Sequence, residues 1–200
     1  MTSLTSPLVV KVGGSLFDRV ARLLEIFQEV GRRVLIVPGG GKFADLVRRL
    51  DVSDTAGHWM AIAGMEQFGW YIASHDVPAA PAIALPAGVT VLLPYCALRA
   101  TDPLPHSWDV TSDTIAARVA ADLSLDLLLL KSVDGIHHRR RLLSRVEDPS
   151  LTCDEVDPLF IPFVFEHGIR ARVINGRYDD RVRDALREEV VTGTLIDPRF

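Results

Sequence analysis

The sequence predicts an α/β fold in which helices cover both faces of a largely parallel sheet. Short, continuously apolar segments, which are typical of strands buried on both faces, alternate with segments whose apolar residues recur at helical spacing. Glycine clusters follow three of the apolar segments, at the position where open α/β sheets bind ligands. The chain has 200 residues, of which 48% are hydrophobic and 24% are charged. It can therefore bury a core of ordinary size, and intrinsic disorder is excluded.

The first half of the chain contains two predicted strand–turn–helix units and a longer helical region. Each unit begins with a buried apolar strand and continues through glycines toward a helix. Gly31 marks the end of the first helix. In chain order, the predicted elements are a strand at 8–12, a helix at 20–30, a strand at 34–37, a helix at 43–50, and a helical region at 53–73 that is interrupted at Gly57 and Gly64.

The second half contains the clearest buried strand, Asp126–Leu130. Two weaker strand candidates precede it, since proline and glycine punctuate their sequences. Thr111 or Ser112 caps a predicted helix just before the clear strand. In chain order, the predicted elements are strands at 82–85 and 89–93, a helix ending at 122, the strand at 126–130, a helix at 158–167, a strand at 171–174, a helix at 179–188 and a strand at 191–196.

Composition and charge exclude several classes of protein. The net charge of −4 and the pI of about 5.8 argue against general nucleic-acid binding, which needs a basic surface. No apolar run approaches the roughly 20 residues that span a bilayer, and the first residues lack the basic region of a signal peptide. Cys96 and Cys153 lie outside any CxxC spacing, which excludes a disulfide scaffold and a zinc ribbon. We therefore expect one cytoplasmic domain, residues 1–200, without a membrane partner or a dedicated metal cluster.

Lysine is rare in this chain, and its positions are informative. Of the 22 basic residues, only Lys11, Lys42 and Lys131 are lysines. Lysine is a compact point charge on a flexible stem, which suits it to following a phosphoryl group during transfer. Lys11 lies in the first predicted strand, Lys131 directly follows the clearest one, and Lys42 follows the glycine-rich turn after the second. These positions argue against the alternative, which is that codon bias left three lysines by accident.

Two glycine-rich turns follow the first two strands. The first contains Gly13, Gly14 and Ser15, and the second contains residues 39–41 and leads into Lys42. Glycine lets the backbone approach a ligand closely, and the helix N-terminus after each turn offers N–H groups to an anion. Neither turn is a Walker A loop or a dinucleotide fingerprint. The two turns predict a shared phosphate crevice, and the alternative is two unrelated tight turns.

Two further motifs place polar side chains beside predicted strand ends. The first motif, at the start of a predicted helix, consists of Thr111, Ser112 and Asp113. The simpler interpretation is that these residues cap the helix. The functional interpretation is that Asp113 orients lysines while the two hydroxyl groups contact a phosphate or the acceptor. The segment Lys131-Ser132-Val133-Asp134-Gly135 closes the clearest strand. Its Asp-Gly step is ordinary turn chemistry, but a lysine at the end of a buried strand is well placed to reach a ligand.

Together these motifs resemble the amino-acid kinase family. The matching segments read KVGGS, PGGGK, VTSD and KSVDGI, and they run from about Leu8 to Ile136, with Gly193-Thr194 as a possible further element. The resemblance implies a three-layer α/β/α sandwich around a mainly parallel sheet of about eight strands. It also implies an ATP-dependent kinase, with Mg²⁺ carried by the nucleotide. The acceptor is expected over the N-terminal half and the nucleotide over the C-terminal half.

Phosphoryl transfer depends mainly on positioning and charge neutralisation, which assigns roles to these residues. Lys11 and Lys131 are expected to bridge the β- and γ-phosphates of ATP, and Asp113 is expected to hold both lysines in place. The residues expected to contact the nucleotide phosphates are Gly13, Gly14, Ser15, Ser132, Asp134 and Gly135. The residues expected to contact the acceptor are Gly39, Gly40, Gly41, Lys42, His58, Thr111 and Ser112.

Within the family, the short length and the segments GGGKFAD, HWMA and SWDVTSD look most like an archaeal subgroup associated with methanofuran biosynthesis. In that subgroup a kinase converts an aminomethylfuran-methyl phosphate to the diphosphate. The resemblance therefore implies a small phosphomonoester as acceptor, and a homo-oligomer of two or more chains. The alternatives are an isopentenyl phosphate or uridylate kinase, or a non-catalytic nucleotide- or oxyanion-binding protein of the same fold.

The sequence also departs from better-known relatives. Several of them carry a further lysine late in the chain, and here Arg170 or Arg172 is the candidate replacement. The segment His137–Arg141 is a compact basic run where relatives help to hold the nucleotide base. Its simplest structure is a solvated loop, and its functional role would be to shield the phosphates of ATP or to stack on the base.

Overall fold

The computed structural model describes residues 6–199 of the chain. Its strands are β1 (Leu8–Val12), β2 (Val34–Pro38), β3 (Ala79–Ala80), β4 (Val89–Leu92), β5 (Leu127–Lys131), β6 (His137–His138), β7 (Arg141–Leu142), β8 (Arg145–Val146), β9 (Ala171–Asn175) and β10 (Thr194–Ile196). Its helices are α1 (Val20–Val30), α2 (Gly41–Val47), α3 (Asp54–Ala73), α4 (Pro94–Thr101), α5 (Ser112–Leu123), α6 (Phe160–Glu166) and α7 (Asp179–Leu186), and a 3₁₀ segment spans Gly14–Arg19. No helix in this described part is long and apolar enough to cross a membrane.

The main sheet of residues 6–199 has eight strands in the order β3-β4-β2-β1-β5-β9-β10-β8. β1 pairs in parallel with both β2 and β5, and β5 pairs in parallel with β9. β10 runs antiparallel to β9, so the sheet is mainly parallel and the predicted fold class is confirmed. The chain builds outward from β1 through β2 and then resumes at β5 on the other side of β1. The carboxyl ends of β1 and β5 are therefore the point at which α/β sheets open a binding crevice.

Helices cover both faces of the sheet because the side chains of each buried strand alternate between the two faces. α5 and α6 pack with Val9 and Leu129 on one face. α1 and α7 pack with Val10 and Leu130 on the other face. All four strand residues are excluded from water, so the core lies on both sides of the central strands and holds their carboxyl ends in fixed positions.

α3 is one continuous helix of 20 residues, and the predicted interruptions at Gly57 and Gly64 are wrong. Gly64 is a glycine because α2 crosses closely there: a Cβ on Gly64 would lie 3.0 Å from the Cβ of Phe43. Farther along, Gly69 lies close to Pro38 at the carboxyl end of β2. α3 therefore passes the ends of the strands and forms one wall of the crevice.

Three other elements differ from the sequence prediction. The segment at 82–85 is not a strand, since Pro81 and Pro86 flank it and lack the N–H groups that a ladder needs; the edge strand is β3, which pairs with β4. α4 was not predicted, although Pro94 is at a favourable first position for a helix. The basic segment His137–Arg141 forms part of the β6–β7 hairpin rather than a loop.

Candidate active site

Lys11 and Lys131 lie on adjacent strands at the centre of the sheet. Because side chains alternate across a strand, Lys11 shares a face with Val9, and Lys131 shares the same face with Leu129. α5 packs on this face, and Asp113 belongs to its first turn. The alternation of two strands and the start of one helix thus bring together the three residues predicted to be catalytic.

Asp113 forms an ion pair with each lysine. Its Oδ1 lies 2.7 Å from Nζ of Lys11, and its Oδ2 lies 2.5 Å from Nζ of Lys131. Burial raises the pKa of Asp113, but the charges of Lys11 and Lys131 outweigh burial and leave this pKa below its ordinary value. Burial, and then the charge of Lys11, lower the pKa of Lys131. Two ammonium groups around one carboxylate carry a net positive charge, which suits an anionic ligand.

A second buried carboxylate, Asp157, fixes the start of α5. Its Oδ2 accepts hydrogen bonds from the backbone N–H groups of Thr111 and Thr114 and from the Thr111 hydroxyl, and its Oδ1 accepts one from the Thr114 hydroxyl. Burial, and then the negative charge of Asp113, raise the pKa of Asp157. Sequence reasoning missed this residue, since an aspartate before Pro158 is unremarkable. The Thr111 hydroxyl, which was predicted to contact the acceptor, is engaged with Asp157 instead.

The two glycine-rich turns touch each other. A Cβ on Gly14 would lie 2.1 Å from the Cα of Gly41, and a Cβ on Gly39 would lie 2.8 Å from the amide nitrogen of Gly14. Gly41 also has a φ of +51°, a conformation that favours glycine. Backbone contact between the turns therefore explains these three glycines, and it brings the two predicted phosphate turns to one place.

The turns offer some of the expected N–H donors and not others. Gly13 and Gly39 donate their N–H groups to carbonyl oxygens of β5 and β1, so neither is available to a phosphate. Gly14 begins the 3₁₀ segment and Gly41 begins α2, where the first N–H groups have no acceptor within the helix. The geometry therefore favours Gly14 and Gly41 over Gly13 and Gly39 as donors to an anion.

A pocket of about 290 Å³ opens between the glycine turns, α3 and the start of α5. The predicted acceptor residues on its wall are Gly40, Gly41, His58, Thr111 and Ser112. Gly14 and Ser15, which were predicted to contact the nucleotide phosphates, line it as well. Ile62, Met65 and Trp108 add apolar surface. We call this cavity the acceptor pocket.

Lys42 lies outside the acceptor pocket, which differs from the prediction. Its Nζ lies 5.7 Å from the centre of the Phe17 ring, in a neighbouring depression beside Asp18 that shares the glycine turns with the acceptor pocket. The arginine on the wall of the acceptor pocket is Arg48, whose guanidinium lies 5.0 Å from the centre of the Trp108 ring. Sequence reasoning missed Arg48, because nothing distinguishes it from the other arginines of the chain.

His58 is half-buried and stacks on His106, with 4.3 Å between the ring centres. Burial, and then the charge of His106, lower the pKa of His58, so its imidazole is neutral at neutral pH. His106 contacts Asp102 through Nε2 and Thr55 through Nδ1. His58, Asp102 and His106 bring three potential metal-ligand atoms within 4.8 Å of one another, a group that was not predicted. His106 stacks on His58 and is itself held by Asp102 and Thr55, so this group orients His58.

Asp134 and Gly135, in the segment after β5, make contacts within the protein that fix the conformation of this segment. Asp134 accepts hydrogen bonds from Nδ2 of Asn175 at 3.0 Å and from Arg181 at 2.6 Å, and these bonds lower the pKa of Asp134. Gly135 has a φ of +153°, and a Cβ there would lie 2.5 Å from Oγ1 of Thr194. Asp134 and Gly135 therefore shape this segment, which differs from the predicted role of contacting phosphate directly.

Arg170 and Arg172 do not replace the late lysine of relatives, because both lie toward the amino end of β9 while the crevice is at the carboxyl ends of the strands. Arg170 pairs there with Asp126 and Asp197. The arginine that follows the carboxyl end of β9 is Arg177, which donates to a carbonyl of the 3₁₀ segment. At the carboxyl end of β9 the positive charge is therefore that of Arg177, in the turn after the strand.

A second cavity, of about 570 Å³, adjoins Asp157. Its walls are the β6–β7 hairpin and the segment 151–158. Ser132, which was predicted to contact nucleotide phosphate, is exposed just after β5. We call the cavity between the β6–β7 hairpin and the segment 151–158 the hairpin cavity. Its walls come from the C-terminal half of the chain, over which the nucleotide is expected to bind.

The sequence profile of the amino acid kinase family matches residues 6–175, which is most of the chain. The protein therefore belongs to the amino acid kinase family, and it is an ATP-dependent kinase. The chain is 30% identical to the [5-(aminomethyl)furan-3-yl]methyl phosphate kinase of Methanocaldococcus jannaschii, over an alignment that covers 89% of this chain and 92% of that relative.

Solved structures of kinases share the fold. Uridylate kinase from Archaeoglobus fulgidus superposes with a TM-score of 0.70 at 21% identity, covering 94% of this chain and 99% of the other. UMP kinase from Ureaplasma parvum gives a TM-score of 0.75 at 17% identity, covering 96% and 100%. An isopentenyl phosphate kinase gives 0.63 at 15% identity, covering 95% and 100%. At these identities the likeness establishes the three-layer fold.

Proposed function

We propose that this protein transfers the γ-phosphoryl group of ATP to a small phosphomonoester and so forms a diphosphate. The observation that carries the proposal is the buried Lys11–Asp113–Lys131 group. Asp113 directly follows residues of the acceptor pocket, and Asp157 of the hairpin cavity is close enough to influence Lys131 electrostatically. A positive group between two cavities is what a kinase needs between donor and acceptor.

The lysines would act by following charge. In the transfer, an oxygen of the acceptor phosphate forms a bond to the γ-phosphorus, and the bond to the β–γ bridging oxygen breaks. Lys11 and Lys131 would neutralise charge on the β- and γ-phosphates, while Asp113 keeps the two ammonium groups from repelling each other. An acceptor that is already anionic needs no strong general base.

Mg²⁺ would enter with the nucleotide and neutralise phosphate charge. Both oxygens of Asp113 are within ion-pair distance of lysines, so this carboxylate is poorly suited to hold a metal ion directly. Mg²⁺ commonly keeps phosphate and water ligands in such sites. The residues fit a metal ion that the nucleotide carries.

The acceptor pocket suits a small ring that bears a phosphate. Gly14 and Gly41 offer helix-terminal N–H groups for the phosphate, Arg48 adds a positive charge, and Trp108 and Met65 provide apolar walls. The name of the M. jannaschii relative specifies a furan ring with a methyl phosphate. Our preferred acceptor is therefore [5-(aminomethyl)furan-3-yl]methyl phosphate, and the alternatives are isopentenyl phosphate and UMP.

Acceptor-dependent release of ADP tests the proposal. We expect ADP to form with [5-(aminomethyl)furan-3-yl]methyl phosphate and ³¹P NMR to show a diphosphate product. Preferential turnover of isopentenyl phosphate or UMP would change the substrate. ATP binding without ADP release for any of the three would favour the non-catalytic alternative.

Replacing His58 by Ala is expected to raise KM for the phosphorylated acceptor about tenfold, since the neutral imidazole would no longer donate a hydrogen bond to it. KM for ATP should stay unchanged, because His58 lines the acceptor pocket and does not line the hairpin cavity, where the nucleotide is expected. His58→Gln should retain part of the affinity, as its amide still donates. Steady-state kinetics measures both constants, with His167→Ala, directly after α6 and outside both cavities, as a control. An unchanged acceptor KM in His58→Ala would make His58 a packing residue.

The pH profile should report Lys131. Since burial and Lys11 lower its pKa, Lys131 loses its proton at a lower pH than an ordinary lysine. The protonated form is the active one in our proposal, so kcat/KM, which reports the free enzyme, should fall as pH rises through that lowered pKa. In Lys131→Arg the residual activity should persist to higher pH, because arginine stays charged. An alkaline limb at the same pH in both proteins would assign it to another group.

The homo-oligomer implied by the family resemblance stays a prediction. Sedimentation velocity over a range of protein concentrations measures the mass in solution. A mass of one chain at every concentration would contradict it.

A further inference from the structure

The charged side chains on the wall of the acceptor pocket are unusual for a site that receives a dianionic ester. Beside Arg48 they include two carboxylates, Asp45 on α2 and Asp54 at the start of α3. His58 adds no charge, because its lowered pKa leaves it neutral. Counting one guanidinium against two carboxylates, the ionised side chains of this wall sum to one negative charge.

The glycine turns, Arg48 and the adjoining Lys11–Asp113–Lys131 group suit the phosphate of the acceptor, but Asp45 and Asp54 add no favourable contact to an acceptor that carries only a phosphate. Within residues 6–199, Asp45 and Asp54 form no ion pair, whereas Asp18, Glu29 and Asp179 are paired with arginines. Like charges in one pocket would weaken the binding of a phosphomonoester with a neutral tail. The same carboxylates become favourable if the far end of the acceptor is a cation.

We propose that Asp54 binds a protonated primary amine on the acceptor, at the opposite end from its phosphate. This rests on the proposed function and names the substrate class as an amine-bearing phosphomonoester. Asp54 lies one turn before His58 on α3, next to the Trp108 wall, since a Cβ on the intervening Gly57 would be 3.8 Å from the Trp108 ring. The glycine turns that would hold the phosphate are contributed by other elements of the pocket.

Asp45 has a different position from Asp54. It lines both the acceptor pocket and the neighbouring depression formed with Gly14, Ser15 and Lys42, so it lies by the glycine turns. Asp54 does not line that depression. Of the two carboxylates, Asp54 is therefore the specificity-determining residue, and Asp45 contributes to the field of the pocket.

A purely structural role for Asp54 predicts a different outcome. An acidic residue in the first turn of a helix stabilises the helix through its dipole. Loss of that effect would lower the melting temperature slightly and would affect every acceptor equally. A specificity role affects only acceptors that carry the amine.

The test compares [5-(aminomethyl)furan-3-yl]methyl phosphate with the analogue in which a hydroxymethyl group replaces the aminomethyl group. Calorimetry at neutral pH measures Kd for each acceptor, and ADP release measures KM. We expect the wild-type protein to prefer the amine at least tenfold, and Asp54→Asn to remove about tenfold of that preference by weakening the amine alone, as expected for loss of one charge-assisted hydrogen bond. Asp51→Asn, three residues earlier and outside the pocket, is the matched control and should keep the wild-type preference.

The outcomes separate this inference from the proposed function. Equal affinity of the wild-type protein for both acceptors, or equal losses for both in Asp54→Asn, would overturn the amine site even if ADP is released. An Asp54-dependent preference for the amine in binding, without ADP release, would support the amine site and contradict kinase activity toward this acceptor. Failure of the protein to bind the amine acceptor would overturn the inference.

Discussion

Lys131→Ala is expected to lower kcat by on the order of 10²–10³ while the protein stays folded. In our proposal Lys131 contacts charge that moves during transfer, and the truncated side chain leaves that charge unneutralised. In this variant Asp113 keeps its ion pair with Lys11, so no buried carboxylate is left without a cation. Lys131→Arg should restore only part of kcat, since a planar guanidinium does not reproduce a point charge beside Asp113. Coupled ADP release measures kcat, and circular dichroism establishes that the variant is folded.

The chain supplies a matched control for this experiment in its third lysine. Lys42 lies over Phe17, beside the glycine turns and outside the acceptor pocket, whereas Asp113 pairs with Lys11 and Lys131. We therefore expect Lys42→Ala to lower kcat far less than Lys131→Ala. If Lys42→Ala loses as much activity as Lys131→Ala, general charge rather than the Lys11–Asp113–Lys131 group would control turnover. Near-normal kcat in Lys131→Ala would remove this lysine from the mechanism.

Much of the fold was predictable because buried parallel strands leave a direct trace in sequence. β2 is apolar throughout, and β1 and β5 are apolar apart from Lys11 and Lys131. The apolar residues of β9 are interrupted by Arg172. α1 ends before Gly31 as predicted, and Gly31 has a φ of +71°. The errors lie where tertiary contacts override local signals. Gly64 looks like a helix breaker, but the close crossing of α2 makes it a packing residue. The edge strand was misplaced because Pro81 and Pro86 bracket an apolar segment that cannot complete a ladder.

The site was predictable where motif and strand alternation coincide. Lys11 pairs in register with Leu129, and Lys131 lies two residues farther along β5 on the same face of the sheet. Their meeting with Asp113 at the start of α5 therefore follows from the side-chain alternation. Residues that act through the tertiary fold left no such signal: Asp157 comes from the distant segment before α6, and Arg48 is one arginine among many. The separation of Lys42 from the acceptor pocket also depends on side-chain direction, which spacing alone does not determine.

Gly14→Ala is expected to lower the free energy of unfolding by about 1–3 kcal/mol, the typical cost of overpacking, and to lower kcat/KM by on the order of 10²-fold. The added Cβ would lie 2.1 Å from Cα and 2.5 Å from N of Gly41. Both are backbone atoms, so the clash cannot be relieved by rotating a side chain, and the two turns must move apart. Displacement of about 1 Å in groups that position a substrate is enough for a loss of this size. Urea denaturation and ADP release measure the two effects.

The two losses should occur together, because the same contact between turns supports the fold and the phosphate site. Gly88→Ala is the control: no atom lies within 4 Å of a Cβ at Gly88, so both stability and activity should stay at wild-type values. Gly41→Ala should resemble Gly14→Ala, since its Cβ would approach Cα of Gly14 to 3.1 Å and its φ of +51° disfavours a side chain. Wild-type stability and activity in Gly14→Ala would show that the turns do not touch. A loss of stability with full kcat/KM would show that they touch without positioning either substrate.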